Sequence, residues 1–330
     1  MISQDNPELQ DIRMRLNAAD SEVRRIALLD MADFEGDDHV PLIIASLQDP
    51  VATVRAEAAR ALEAFENELG VPALIAILDD PDPSVREAAA HSLHDLKQRE
   101  SARFIFPHLA HSAASVRIAL FRALRELRVM ESFEPALAAL ADENAAVRRE
   151  AVAVLGYLKQ PEALPALTAL ATNDSQAEVR RAAVGAIGFA SGDAVLPALL
   201  SGLSDTAWQV REEAAATIGK LRLNNALEQM IDALQDSYWQ VRLCAARALG
   251  RMREPRSVPA LIETLNHEIS NLRKEAALAL GEIGSPEALP ALEQIQNDPD
   301  PEVRKSVRLS IAQVRLTGPG QEPAGIRIKN

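Results

Sequence analysis

Ten times along the chain, an apolar residue is followed by arginine in one register. The pairs are Val23-Arg24, Val54-Arg55, Val85-Arg86, Val116-Arg117, Val147-Arg148, Val179-Arg180, Val210-Arg211, Val241-Arg242, Leu272-Arg273 and Val303-Arg304. Successive pairs lie 31 residues apart, except for one interval of 32 between the fifth and the sixth. A fixed period in this range marks an array of stacked units, because a single unit is too small to bury its own apolar face.

Each period reads as two helices. The first carries a pattern such as Val71-Pro72-Ala73-Leu74-Ile75-Ala76-Ile77-Leu78. Its proline is tolerated near the start, where backbone N–H groups have no intrahelical acceptor. A polar turn follows, Asp79 to Ser84 in the same repeat, and the second helix opens at Val-Arg. Apolar or small residues then recur at every fourth place, as in Val54, Ala58, Leu62 and Val147, Ala151, Leu155. That is one stripe of an α-helix. Gly156, Gly188, Gly219, Gly250 and Gly281 follow the last stripe residue in repeats five to nine. Glycine weakens a helix, so close helix packing is expected to compensate.

Placing every Val-Arg at one phase gives repeats 6–36, 37–67, 68–98, 99–129, 130–160, 161–192, 193–223, 224–254, 255–285 and 286–316. The extra residue of the sixth falls in the turn Thr172 to Ala177. The first repeat departs from the pattern, as a capping unit should, and the Gly/Pro-containing residues 317–330 read as a flexible tail. The expected fold is therefore an all-α solenoid of ten helix pairs.

Composition fits: 48% of the residues are hydrophobic, but only 3% are aromatic. Thin helix pairs stacking on Ala, Leu, Val and Ile need few large fillers. The single cysteine, Cys244, excludes an internal disulfide framework and a cysteine-rich zinc site. No apolar run is long enough for a membrane span. The first ten residues lack the basic start and apolar stretch of a secretory signal, so a cytoplasmic location is expected. A net charge of −13 argues against a general nucleic-acid binder.

An arginine in the first turn of a helix is at the wrong end for the helix dipole, so a partner is expected for it. Six residues before the arginine stand Asp49, Asp80, Asp142, Asp174, Asp205, Asp236 and Asp298. These aspartates can accept helix N–H groups and pair with an arginine of their own or the adjacent repeat. With Arg55, Arg86, Arg148, Arg180, Arg211, Arg242 and Arg304 they form a structural ladder of alternating charge. The motif of turn aspartate, Val-Arg, small residue and Leu-Gly resembles the HEAT repeat, in the short form found in phycobilisome (bilin) lyase-type proteins. The resemblance spans residues 6–316. It implies an α-solenoid with first helices on a convex side and second helices on a concave side, and protein binding as the commonest role. It is specific for fold and not for function.

In such an array, function lies in departures from the repeat. Residues 1–100 hold 21 acidic and 9 basic residues, and the rest of the chain holds 27 and 26. Repeats one to three therefore offer an acidic surface to a basic partner, or serve solubility. Residues 101–130 reverse the sign, with Arg103, Arg117, Arg122, Arg125 and Arg128 against Glu126. Trp208 and Trp239 stand two residues before Val-Arg in consecutive repeats, with Tyr238 adjoining the second. Tyr157 and Phe189 lie nine residues after the arginine of theirs. Aromatic residues with arginine are favoured anchors at interfaces, and Arg247 and Arg251 are candidates for the cation. The alternative is that the rings pack over their own turns.

His91 with His94, and His108 with His111, form two spaced pairs on neighbouring helices and are the candidates for a metal. HEAT-like di-iron hydroxylases carry several His-Glu pairs, whereas this chain has one, His267-Glu268. His111 and His267 moreover fill the turn-aspartate place. Cys244 reads as a small helix-packing residue, with a thioether to a bilin as the alternative. No phosphate loop, nucleophile elbow or His-Glu-x-x-His is present. The reading is a non-enzymatic scaffold or adaptor without cofactor, gripping a protein or peptide on the concave face of repeats five to eight. A bilin-lyase-like protein is the alternative, and a metal-dependent hydroxylase the third reading.

Overall fold

The structure, a computed structural model, describes residues 7–31 and 38–317. Apart from Thr317, the expected tail lies outside the described residues. The chain falls into two compact units, Met1–Leu158 and Lys159–Asn330. In the first, the helix pairs are α1 (Pro7–Leu16) with α2 (Ser21–Met31), α3 (Val40–Ser46) with α4 (Ala52–Ala61), α5 (Gly70–Ala76) with α6 (Pro83–His94), α7 (Ala102–Ile105) with α8 (Ala114–Leu127), and α9 (Phe133–Ala139) with α10 (Ala145–Leu158). In the second they are α11 (Leu164–Asn173) with α12 (Ala177–Ala186), α13 (Leu196–Leu203) with α14 (Trp208–Leu221), α15 (Leu227–Asp232) with α16 (Trp239–Met252), α17 (Val258–Thr264) with α18 (Ser270–Ile283), and α19 (Leu289–Gln294) with α20 (Pro301–Thr317). Each pair fills one sequence repeat, and the described residues include no strand.

The first helices are short, and several open in a 3-10 turn such as Pro255–Ser257 before α17. Proline occupies the second position of α3, α11, α13, α17 and α19. The second helices carry the expected core stripe. Val85, Ala89 and Leu93 of α6, and Val241, Ala245 and Leu249 of α16, are fully buried. Second helices of successive repeats pack side by side, α2 on α4 and α4 on α6 in the first unit, and α14 on α16, α16 on α18 and α18 on α20 in the second.

The glycines explain how closely they pack. A Cβ on Gly219 would stand 2.5 Å from Ala248 Cβ and 2.6 Å from its Cα, and one on Gly250 would stand 2.8 Å from Ala279 Cα. A side chain at either place would push α14 from α16, or α16 from α18. Several second helices end on a residue in the left-handed region: Arg128 after α8, Arg222 after α14, Arg253 after α16 and Gly284 after α18. Glycine is the usual occupant of that place. The arginines bring strain there, partly offset by a cation at the negative end of the helix.

A candidate binding face on the second-helix turns

The ladder exists, and six of its arginines, Arg24, Arg55, Arg117, Arg180, Arg211 and Arg273, each link two repeats. Arg180 donates from Nε to Asp205 Oδ2 at 2.6 Å and from Nη2 to Oδ1 at 2.8 Å. Arg211 forks onto Asp236 at 2.6 and 2.9 Å, and Arg273 onto Asp298 at 2.7 and 2.9 Å. In the first unit Arg24, Arg55 and Arg117 hold Asp49, Asp80 and Asp142 in the same way. The fork always reaches the next repeat. Nη1 turns back onto the arginine's own turn, as from Arg211 to the Asp205 carbonyl at 2.8 Å and from Arg180 to the Asp174 carbonyl at 2.8 Å. Arg148 and Arg304 make the same backward bond, to the Asp142 and Asp298 carbonyls. The wrong-end arginine is thus held by acceptors in two turns, which outweighs the dipole penalty.

The aspartates differ from the expectation in one respect. Oδ1 accepts the N–H of the residue two places on: Ala207 for Asp205 and Tyr238 for Asp236. Those are the N-cap residues of α14 and α16, so the carboxylate closes an Asx turn ahead of the helix and accepts none of the helix's own N–H groups. Bidentate hydrogen bonding from Arg180 holds the Asp205 carboxyl below the ordinary carboxylate range, and Arg180 is raised in turn. Arg24, Arg117 and Arg273 belong to the ladder although their own turns lack the aspartate. The register of the next repeat's aspartate is the signal for them.

Two rungs are interrupted. His111 and His267 stand in the aspartate place, and their Nδ1 atoms accept the N–H of Ala113 at 3.1 Å and of Ile269 at 3.0 Å. Histidine keeps the turn but supplies no carboxylate. Arg86 keeps its backward bonds to the carbonyls of Asp80 and Pro81. Arg242 differs: its buried Nε meets no acceptor among the described residues.

The aromatic residues sit on this turn edge in the second unit. Trp208 is the first residue of α14, Trp239 the first of α16, and Tyr238 is the N-cap of α16. The Trp208 and Tyr238 rings stack with centroids 5.5 Å apart and planes 15° from parallel. The Arg211 guanidinium lies 5.6 Å from the Tyr238 ring. Trp208 and Arg211, one turn apart on α14, thus both lie against Tyr238, beside the Arg211–Asp236 rung. Trp208 packs over the adjoining turn, as the alternative reading expects. Tyr238 and Trp239 nonetheless remain 45% and 40% exposed.

The cation at the aromatics is therefore Arg211. Arg247 instead donates to Glu275 at 2.8 and 3.0 Å. Arg251 lies near the far end of α16, twelve residues from Trp239, or about 18 Å along a helix. Phe189 is half-buried in the short turn that ends the second helix of its repeat, at the opposite helix end from Trp208. Tyr157 belongs to the first unit, exposed, with Arg128 4.8 Å from its ring. Of the seven candidates the structure brings together Trp208, Tyr238 and Trp239 alone.

The four candidate histidines do not converge. Among the described residues, the one group with ligand atoms near one another joins His91 to Glu63 and Asp95, all within 4.8 Å, and His94, His108 and His111 are outside it. The basic segment 101–130 is largely spent on pairing: Arg117 on Asp142, and Arg122 and Arg125 on Glu150. Arg103 and Arg128 line a groove of about 540 Å³ with Arg99, Phe106 and Met130. Burial pushes the half-buried Cys244 thiol up to about 11, which leaves it protonated at neutral pH and poorly nucleophilic.

The family model for HEAT repeats matches residues 9–94, 47–125, 102–188, 170–238 and 227–312. The chain belongs to the HEAT-repeat family. Among solved structures it is similar to an engineered protein, at 20% identity over 94% of this chain and 99% of that one, with a TM-score of 0.50. The YibA protein of Escherichia coli matches at 21% identity over 90% of this chain and 98% of that one, with a TM-score of 0.50. Kap95p, from a structure concerning RanGDP, matches at 14% identity over 95% of this chain and 51% of its own, with a TM-score of 0.66. The chain spans about half of Kap95p, and identities this low carry the fold alone. No curated protein sequence matches. Among the described residues, no helix is long and apolar enough to cross a membrane.

Proposed function

We propose that this HEAT-repeat chain is a non-enzymatic scaffold that binds a protein or peptide through the edge where α14 and α16 begin. The observation that carries the reading is the aromatic set itself. In a chain that fills its interior with small aliphatic residues, Tyr238 and Trp239 stand exposed beside the Trp208–Tyr238 stack and Arg211. Large rigid side chains of this kind supply contact area at little entropic cost. Similar folds also support the reading. Kap121p, with a TM-score of 0.55 and 14–15% identity, has been solved bound to Nup53p and to the extreme C-terminus of Cdc14p. The acidic excess of residues 1–100 adds a second region, able to steer a basic surface of the same partner. A protonated Cys244 gives the tetrapyrrole reading no support.

The test pairs Trp208→Ala with Trp239→Ala in one chain. A protein that co-purifies natively with the wild type is identified, purified and titrated calorimetrically. The double variant is expected to keep its helical circular dichroism and to bind at least tenfold more weakly. Equal affinity would place the binding surface elsewhere.

A further inference from the structure

The interrupted rung beyond Trp239 holds a cation that the fold leaves unpaired. Among the described residues, every other arginine of the Val-Arg register donates to a carboxylate of the next repeat, to a carbonyl of its own turn, or to both. Arg242 does neither, and its Nε is buried without an acceptor. The cause is a sequence substitution. Where Asp236 and Asp298 accept the forks of Arg211 and Arg273, the repeat after Arg242 carries His267. Its Nδ1 accepts the Ile269 N–H at 3.0 Å, which places the ring proton of the neutral tautomer on Nε2. A position that supplies two carboxylate oxygens elsewhere thus supplies none here. Gln240, in the same first turn of α16, adds a second buried atom without a partner, Oε1. A part-buried guanidinium lacking its anion is costly, and it stands one helical turn from Trp239, which is 40% exposed.

We infer that this rung is completed from outside: a peptide segment places an Asp or Glu carboxylate on Arg242, while a neighbouring apolar side chain covers Trp239 and Tyr238. The missing anion selects the occupant: Nε is closed to solvent, so a carboxylate from outside meets the guanidinium at its two Nη atoms, whose parallel N–H groups match two carboxylate oxygens. The exposed rings beside it accommodate the apolar neighbour. The inference rests on the peptide-binding reading above and adds the chemistry of the partner.

His267→Asp is the decisive variant, since it puts the missing carboxylate into the chain itself. Displayed libraries of short random peptides are panned in parallel on the full wild-type chain and on His267→Asp, Arg242→Gln and Trp239→Ala. The wild type is expected to enrich peptides with Asp or Glu at a fixed spacing from a large apolar residue. A resynthesised winner should bind about tenfold or more tightly than its Glu→Gln or Asp→Asn form. His267→Asp should lose that acid preference and unfold at a higher temperature, and Arg242→Gln should lose the preference as well. The inference is overturned if the acid and amide peptides bind the wild type equally, or if the preference survives in His267→Asp. If Trp239-dependent peptides enrich without an acidic residue, the carboxylate site falls and the peptide-binding face stands. If no Trp239-dependent peptide enriches, both fall.

Discussion

Asp205→Ala removes one rung of the ladder and nothing else of similar size. The carboxylate accepts two bonds from Arg180, at 2.6 and 2.8 Å, and one from the Ala207 N–H at 2.8 Å. The arginine and aspartate side chains are only 14% and 10% exposed. Exposed pairs contribute at most about 1 kcal/mol, whereas removing one member of a buried pair costs about 3–5 kcal/mol. This rung lies nearer the buried case. Arg180 still keeps the Asp174 carbonyl at 2.8 Å, which limits the loss. A destabilisation of about 3 kcal/mol is expected, including about 1 kcal/mol from the turn N–H. Asp205→Asn keeps one oxygen, which can still accept the Ala207 N–H and Arg180 Nη2, but turns an NH2 toward Arg180 Nε, so about half the loss or more is expected. Urea unfolding followed by circular dichroism measures both variants, and an Arg180→Ala cycle isolates the coupling. A change below about 0.5 kcal/mol for Asp205→Ala would refute the ladder as a source of stability.

Three further outcomes follow from the same geometry. The Asp205 and Asp80 carboxyls are held below their ordinary values chiefly by arginine hydrogen bonds; their contribution is complete above the unfolded carboxylate value of about 4 and is lost as pH falls through the folded values. Acid unfolding below about pH 4 should therefore be steeper in the wild type than in Asp205→Ala, and parallel curves would contradict the linkage. Gly219→Ala gains up to about 1 kcal/mol of helix propensity. It also drives a Cβ to 2.5 Å from Ala248 Cβ, at an overpacking cost of about 1–3 kcal/mol; net destabilisation in the same urea assay is expected, and a more stable variant would show that α14 and α16 can part freely. Cys244, with its thiol pushed up to about 11 by burial, should react slowly with Ellman's reagent in the native chain and quickly in urea, and equal rates would contradict that burial.

The fold was legible because one period is written ten times. Each copy of Val, Ala and Leu at fourfold spacing repeats the evidence for the same buried stripe, and Gly219 and Gly250 mark where neighbouring helices touch. The ladder was legible in its residues but not in its direction. Spacing cannot tell whether Arg180 reaches Asp174 or Asp205, since side-chain reach decides it; for the same reason Arg24, Arg117 and Arg273 were missed. The left-handed arginines after α8, α14 and α16 were hidden because the usual signal for that conformation is glycine. At the candidate face, Trp208, Tyr238 and Trp239 stood out as departures from a repeat with small residues there. Arg211 carries no separate signal in the sequence because the ladder already accounts for it, although one guanidinium serves both the Asp236 rung and the Tyr238 ring. Phe189 stands in the repeat before that of Trp208, and Arg251 shares the repeat of Trp239, but their positions late in the second helices put them at the other helix end.

On the proposed function, the edge formed by Tyr238 and Trp239 meets a partner. Photo-crosslinking tests it most directly: p-benzoylphenylalanine is placed at position 239 and, in a separate chain, at exposed Leu309 of the last helix, which is 52% exposed. Irradiation of native cells should give one discrete protein adduct at position 239 and no such adduct at 309. No adduct at 239, or the same adducts at both positions, would contradict the account.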